Sequence, residues 1–265
     1  MENKIKRYEE LDITNSFMFG KVMRKPELCR PLLETILQVK IRKIVYIDYE
    51  KTLDVAIEQK GIRMDIYVED DKNSVYNLEM QVHNEGDLPF RSRYYQGIID
   101  LNLLEKGMDY DKLSVSYVIF ICMFDPFERN QYIYTFTNRC KEVENLELSD
   151  GRTLIFLNVD GYQGNISLEM KELLKYFKSH NPQSELANEI ESEVIRARAN
   201  AQWRQEYMRL ELELKKQFRK GEEERHKKEL NIIGALKAGE SVSKVSERFE
   251  VPFDEVQEIF ELLNS

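Results

Sequence analysis

The sequence predicts an α/β fold: a mixed, mainly five-stranded sheet flanked by helices, then a long helical arm and a small helical C-terminal bundle. Three observations predict it. Residues 62–82 alternate apolar and polar side chains at period two on either side of a polar turn, the pattern of a β-hairpin. Residues 114–124 form the most apolar run of the chain and suit a central strand buried on both faces. Apolar stripes at helical spacing lie before and after the hairpin, which supplies helices to cover a sheet.

The elements follow in order. Asp12, Thr14, Asn15 and Ser16 precede Phe17-Met18-Phe19, the mark of a capped short helix. Pro26 stands at the first turn of a helix through Leu28, Leu32, Leu33, Ile36 and Leu37. Residues 41–49 read as a strand, and the hairpin follows. Residues 91–106 read as a helix with Ile98, Leu101 and Leu104 on its apolar stripe, ended by Gly107. Asp125-Pro126 stops the apolar strand. Residues 131–137 and 153–159 are further strands, and Gly161 and Gly164 mark a break.

The character changes after Ser184. Residues 185–229 carry acidic and basic side chains in equal number, no proline, and only Gly221 as a breaker. This reads as a charged helix with a thin apolar stripe through Leu186, Ile190, Val194, Ala197 and Ala201, fit for docking or coiled-coil pairing. A solvated helical extension is the other reading. Residues 230–265 divide into amphipathic segments 230–238, 242–249 and 253–263, a helix-turn-helix-like bundle. Acidic residues outnumber basic ones there, which favours protein interaction or dimerisation over DNA reading. The expected division is 1–180, 181–229 and 230–265.

Composition narrows the function. The chain has 265 residues, 42% hydrophobic and 33% charged, with net charge −9. That balance argues against broad, charge-driven nucleic-acid binding and leaves a local groove or a metal-mediated contact. No apolar run approaches the roughly 20 residues of a membrane span, and the N-terminus does not read as a secretory signal. Cys29, Cys122 and Cys140 form neither a zinc spacing nor a disulfide framework, so a reducing cytoplasm is expected. His83, His180 and His226 are too dispersed for a zinc site or a catalytic triad.

The hairpin carries the chemistry. Folded about Lys72, with Asn73 available for a left-handed position, it sets Ile62 against Val82, Met64 against Met80, Ile66 against Leu78 and Val68 against Tyr76. The same register sets Asp65 opposite Glu79 and Arg63 opposite Gln81. Like charges about 5 Å apart destabilise a sheet, and a divalent cation is the commonest reason to keep them. Asp65 and Glu79 would ligate Mg²⁺ or Mn²⁺, with Gln81 on the same face to orient water or phosphate. An ordinary hairpin with a solvated polar face is the alternative.

Leu11-Asp12-Ile13-Thr14-Asn15-Ser16-Phe17-Met18-Phe19, Arg63-Met64-Asp65-Ile66, Asn77-Leu78-Glu79-Met80-Gln81, and Arg91 with Tyr95 before Glu105-Lys106-Gly107 carry a resemblance. Residues 11–125 resemble the recombination-promoting nuclease and putative transposase family of the PD-(D/E)xK nuclease superfamily. The segment Gly239 to Phe249 is similar to that family's tail. The resemblance implies a restriction-endonuclease-like fold and a Mg²⁺-dependent DNA endonuclease in which Asp65 and Glu79 match the metal-binding acids. Gln81 matches a position that is lysine in the wider superfamily. It places Arg91 and Tyr95, at helical i, i+4 spacing, where they would hold a phosphate, against a plain helix-start arginine and core tyrosine. Glu34 lies where many members of the superfamily carry a further metal-oriented glutamate, but it is on the polar side of its helix and, like Asp48, reads first as solvated; Asp54, Glu58 and Glu85 read as loop and surface charge. A homodimer through the arm is expected, since two strands are cut most simply by two sites. The alternative function is an inactive nuclease fold that binds DNA or protein.

Overall fold

The computed structural model describes residues 6–53, 62–104 and 106–264. Asn15 caps α1 (Ser16–Met23) by accepting from the Met18 amide at 3.3 Å, as the polar cluster predicts. Pro26 opens α2 (Pro26–Leu37). Then come β1 (Ile44–Leu53), β2 (Ile62–Asp70), β3 (Val75–Gln81), α3 (Leu88–Leu103), β4 (Ser116–Cys122), β5 (Ile133–Phe136) and β6 (Arg152–Asn158). Five helices complete the chain: α4 (Leu168–Ser179), α5 (Glu185–Arg198), α6 (Ala201–Lys237), α7 (Val242–Phe249) and α8 (Phe253–Asn264).

The strands form one mixed sheet in the order β1-β2-β3-β4-β6-β5. β3-β4 and β4-β6 pair in parallel; the other pairs are antiparallel. All six strands read along the sequence thus join one sheet, rather than mainly five of them, with the short β5 at an edge. β4 is central and nearly all buried, as its apolar run predicts. α3 begins three residues before the predicted start, because Leu88-Pro89 already fits a first helical turn. α4, capped by Ser167, has no counterpart among the expected elements.

The hairpin has the predicted register: Ile66 pairs with Leu78 and Val68 with Tyr76. Asn73 takes the left-handed conformation, φ 60°. Asp70 Oδ1 accepts the amides of Lys72 at 2.9 Å and Ser74 at 2.8 Å, and the Tyr76 hydroxyl donates to Asp70 Oδ2 at 2.8 Å. The expected apolar row stops short at its far end. Val82 lies past β3 and is exposed, and the Ile62 side chain falls outside the described residues, as do Asp54 and Glu58.

Both faces of the hairpin are covered. α1 lies over the face bearing Tyr49, Ile66 and Leu78 so closely that a Cβ on Gly20 would collide with the Tyr49 ring. On the other face, Tyr67, Val75, Val118, Phe120 and Phe156 pack beneath Leu88, Tyr95, Ile98 and Ile99 of α3. The reading of an ordinary hairpin with a solvated polar face is thus overturned. The polar positions of β3 sit under a helix.

The chain separates into two compact units, Met1–Arg204 and Gln205–Ser265. The expected continuous helix after Ser184 is two helices, because Asn200 interrupts it and caps the second by accepting from the Trp203 amide at 3.0 Å. α5 belongs to the first unit and buries Ala187, Ile190, Val194 and Ala197, which is the docking use of the stripe. α6 runs on without a break to Lys237, past the expected boundary at 230. In the second unit, Ile232, Ala235 and Leu236 close a small core with Val245 and Val256 of α7 and α8. Among the described residues no helix is long and apolar enough to cross a membrane.

Candidate functional site

The β2-β3 ladder ends at Ile66 and Leu78, and the next pair is Asp65 with Glu79. There the side chains replace the ladder. The Asp65 amide donates to Glu79 Oε1 at 3.1 Å, and the Met80 amide donates to Asp65 Oδ2 at 2.9 Å. Each carboxylate is pinned through one oxygen by the backbone of the opposite strand. That bracing holds two acids on one face despite their repulsion.

Glu79 is only 2% exposed. Burial, and then the charge of Asp65, push its carboxyl well above the ordinary value of 4.5, against the pull of the Asp65 amide and Arg91. A half-dry acid pair with too little positive charge around it is what a hard cation would relieve. Its donor set is all oxygen, drawn from two neighbouring strands. Among the described residues no cluster of three or more His, Cys, Asp or Glu could hold a metal. Two carboxylates alone are an oxygen donor set that suits a hard divalent cation, one that can fill its remaining positions with water.

Gln81 and Arg91 form the next layer. Arg91 Nη1 donates to Gln81 Oε1 at 3.0 Å, and Arg91 Nη2 reaches the Tyr95 hydroxyl at 3.5 Å. With its oxygen engaged, Gln81 has its Nε2 amide, a donor, left for water or phosphate. The guanidinium lies 5.7 Å from the Tyr95 ring centroid and 5.8 Å from that of Phe120. Burial opposes the Arg91 charge, but Tyr95, Glu79 and Asp87 outweigh it. Burial and the Glu79 charge also raise the Tyr95 phenol, which keeps its proton.

The structure thus gathers Asp65, Glu79, Gln81, Arg91 and Tyr95 at one end of the hairpin. Glu34 and Asp48 have other partners. Glu34 caps the loop after α2 by accepting the Ile41 amide at 2.9 Å and Lys40 Nζ at 3.2 Å. Asp48 accepts the Tyr46 hydroxyl at 2.9 Å, and Glu85 is exposed. Cys122 is next to Gln81 in the sheet, but burial pushes its thiol up to about 12, so it is no thiolate nucleophile.

Three residues of this neighbourhood were given no role in the site by the sequence reading. Asp87 stands 3.8 Å from Arg91 at i, i+4, a spacing legible in the sequence. Phe120 is level with Glu79 on the neighbouring strand and lies under Arg91; nothing in an apolar run distinguishes it from its neighbours. Asn77 shares the face of Glu79 and Gln81 by the period of the strand.

Comparison with known proteins adds one finding. A model of PD-(D/E)XK nuclease family transposases matches residues 12–236. No curated protein and no solved structure matches the chain.

Proposed function

The chain belongs to the PD-(D/E)XK nuclease family transposases, and from that premise we propose that it is a metal-dependent DNA endonuclease. Nucleases of this kind generally use divalent metals. The observation that carries the reading is the cross-braced pair of Asp65 and Glu79 in a largely dry site. These two carboxylates would hold Mg²⁺ or Mn²⁺. Bound there, the ion supplies Lewis-acid polarisation of a phosphodiester and lowers the pKa of the attacking water.

The chain's own groups divide the remaining work. Gln81 Nε2 orients the attacking water by donating to it or to a neighbouring phosphate oxygen. Arg91, fixed by Gln81, Tyr95 and Asp87, presents its remaining N–H groups to a non-bridging phosphate oxygen. Tyr95 accepts from Arg91 and has its own proton to donate to the same phosphate. Arg91 together with a cation held by the two carboxylates would supply the local positive charge that lets a chain of net charge −9 approach DNA at this one place. A homodimer, and a cytoplasmic setting, remain part of the proposal.

A plasmid-nicking assay with Mg²⁺ or Mn²⁺ tests it. Wild type should nick supercoiled DNA, and Asp65→Ala and Glu79→Ala should each lose at least about 100-fold of the rate. Arg91→Ala should lose about 10- to 100-fold, mainly in kcat, and Arg91→Lys should recover little because a point charge does not reproduce the fork. Equal nicking by all preparations would refute the catalytic reading. DNA binding without nicking would favour an inactive fold, for which the neutral Gln81 is the supporting feature.

A further inference from the structure

We propose that Asn77 is a positioning residue of the acidic pair, holding the Glu79 carboxylate through its side-chain amide when a divalent cation is bound. The inference rests on the metal-site reading above. Asn77 is completely buried, and neither Nδ2 nor Oδ1 makes a hydrogen bond. A buried amide in that condition weakens the fold, so a purely structural position would favour an apolar residue.

Its surroundings leave few partners. Across the sheet it pairs with Tyr67 on one side and Val118 on the other. The Tyr67 hydroxyl is engaged by Glu69. Along its own face of β3 the neighbours at i ± 2 are Val75 and Glu79. From α3, Gln96 reaches the neighbouring Val75–Ser116 pair, where its Nε2 is spent on Ser116 Oγ at 2.6 Å, and on Asp100 Oδ1 at 2.9 Å. Gln96 Oε1 is also unbonded, which makes it the rival partner.

Glu79 fits better. Its carboxylate lies two residues along the same face of β3, and the buried Asn77 Nδ2 is an unspent donor beside it. The Asp65 amide holds Glu79 Oε1 from the β2 side. A donor from the β3 side would fix the carboxylate plane, which a single hydrogen bond does not. Outer groups that orient metal-binding carboxylates typically change metal affinity about 10- to 100-fold. Side chains at i and i+2 of a strand are about 7 Å apart, a gap that Asn77 and the longer Glu79 can span between them.

The test is titration calorimetry of Mn²⁺ into the full chain as wild type, Asn77→Leu and Glu79→Gln, with the Tm of each measured without metal. Asn77→Leu should weaken Mn²⁺ binding about tenfold while its metal-free Tm stays equal or rises. Asn77→Ala replaces it should leucine fail to fit, read by Mn²⁺ affinity alone because the truncation opens a cavity that lowers Tm by itself. Wild-type Mn²⁺ affinity in Asn77→Leu would overturn the proposal. So would a fall in metal-free Tm, which is the result expected if Gln96 Oε1 were the partner of Asn77. Absence of Mn²⁺ binding by wild type itself would instead bring down the metal-site reading, and this inference with it.

Discussion

Glu79→Gln is expected to melt at a higher temperature than wild type at neutral pH without metal, and to gain nothing from Mg²⁺ or Mn²⁺. The sign follows from linkage. The Glu79 carboxyl is raised above its ordinary value by burial and by Asp65. Below pH 4.5 it is protonated in the folded and unfolded chain alike, and its stabilising contribution is complete. As pH rises toward the raised folded value the unfolded chain ionises first, so that contribution is lost. Glutamine stays neutral throughout. The Tm difference between variant and wild type should therefore be near zero below pH 4.5 and widen toward neutrality. Asp12 behaves in the opposite sense. Burial raises its carboxyl, but hydrogen bonds from Lys6 and Thr14 and the nearby His180 outweigh burial and lower it. Subtracting one melting curve from the other cancels Asp12, because both proteins contain it. Saturating Mn²⁺ should reverse the order. At 100-fold over Kd a ligand stabilises by about 2.7 kcal/mol, or roughly 5–10 °C for a domain near 200 residues. Wild type should show that gain and Glu79→Gln should not. Equal metal-free Tm values at pH 7 would contradict the account of Glu79 as a strained acid kept for function.

Phe120→Ala should give the largest loss of stability of any single substitution considered, about 3–5 kcal/mol in urea unfolding. Phe120 is fully buried on the central strand. Its ring stacks on Phe156 at 5.3 Å and tilts against Tyr95 at 6.2 Å. It also carries Arg91 above its face. Truncation should therefore open a cavity beneath α3 and loosen the guanidinium at the same time. Nicking should fall even at temperatures where the variant is folded. Phe120→Leu, which keeps most of the volume, should cost about 1 kcal/mol and retain most of the activity. A stable Phe120→Ala variant would show that α3 is not held by this aromatic layer.

How much of this was legible beforehand depended on the kind of force involved. Period-two alternation forced the hairpin register, because a slip of one residue would turn Ile66 and Leu78 to the wrong face. That register alone set Asp65 beside Glu79. Proline punctuation gave the start of α2, whereas the helix expected to run to Gly107 ends already at Leu103. The burial of the polar face could not be read locally. Asn77 and Glu79 look like solvated positions until α3 is laid over them, and that contact depends on residues distant in sequence. The break between α5 and α6 was hidden for a similar reason: Asn200 competes weakly with a strong helical pattern on both sides. Glu34 looked like a further metal ligand by type, yet its carboxylate is occupied by the loop that follows its own helix.

The central claim is that Asp65 and Glu79 share a divalent cation. Anomalous diffraction from a crystal of the full chain soaked in Mn²⁺ tests it most directly. The account predicts a single strong peak within about 2.0–2.4 Å of one oxygen from each carboxylate, lost in Glu79→Gln. A peak elsewhere, or none at this pair under saturating Mn²⁺, would contradict it.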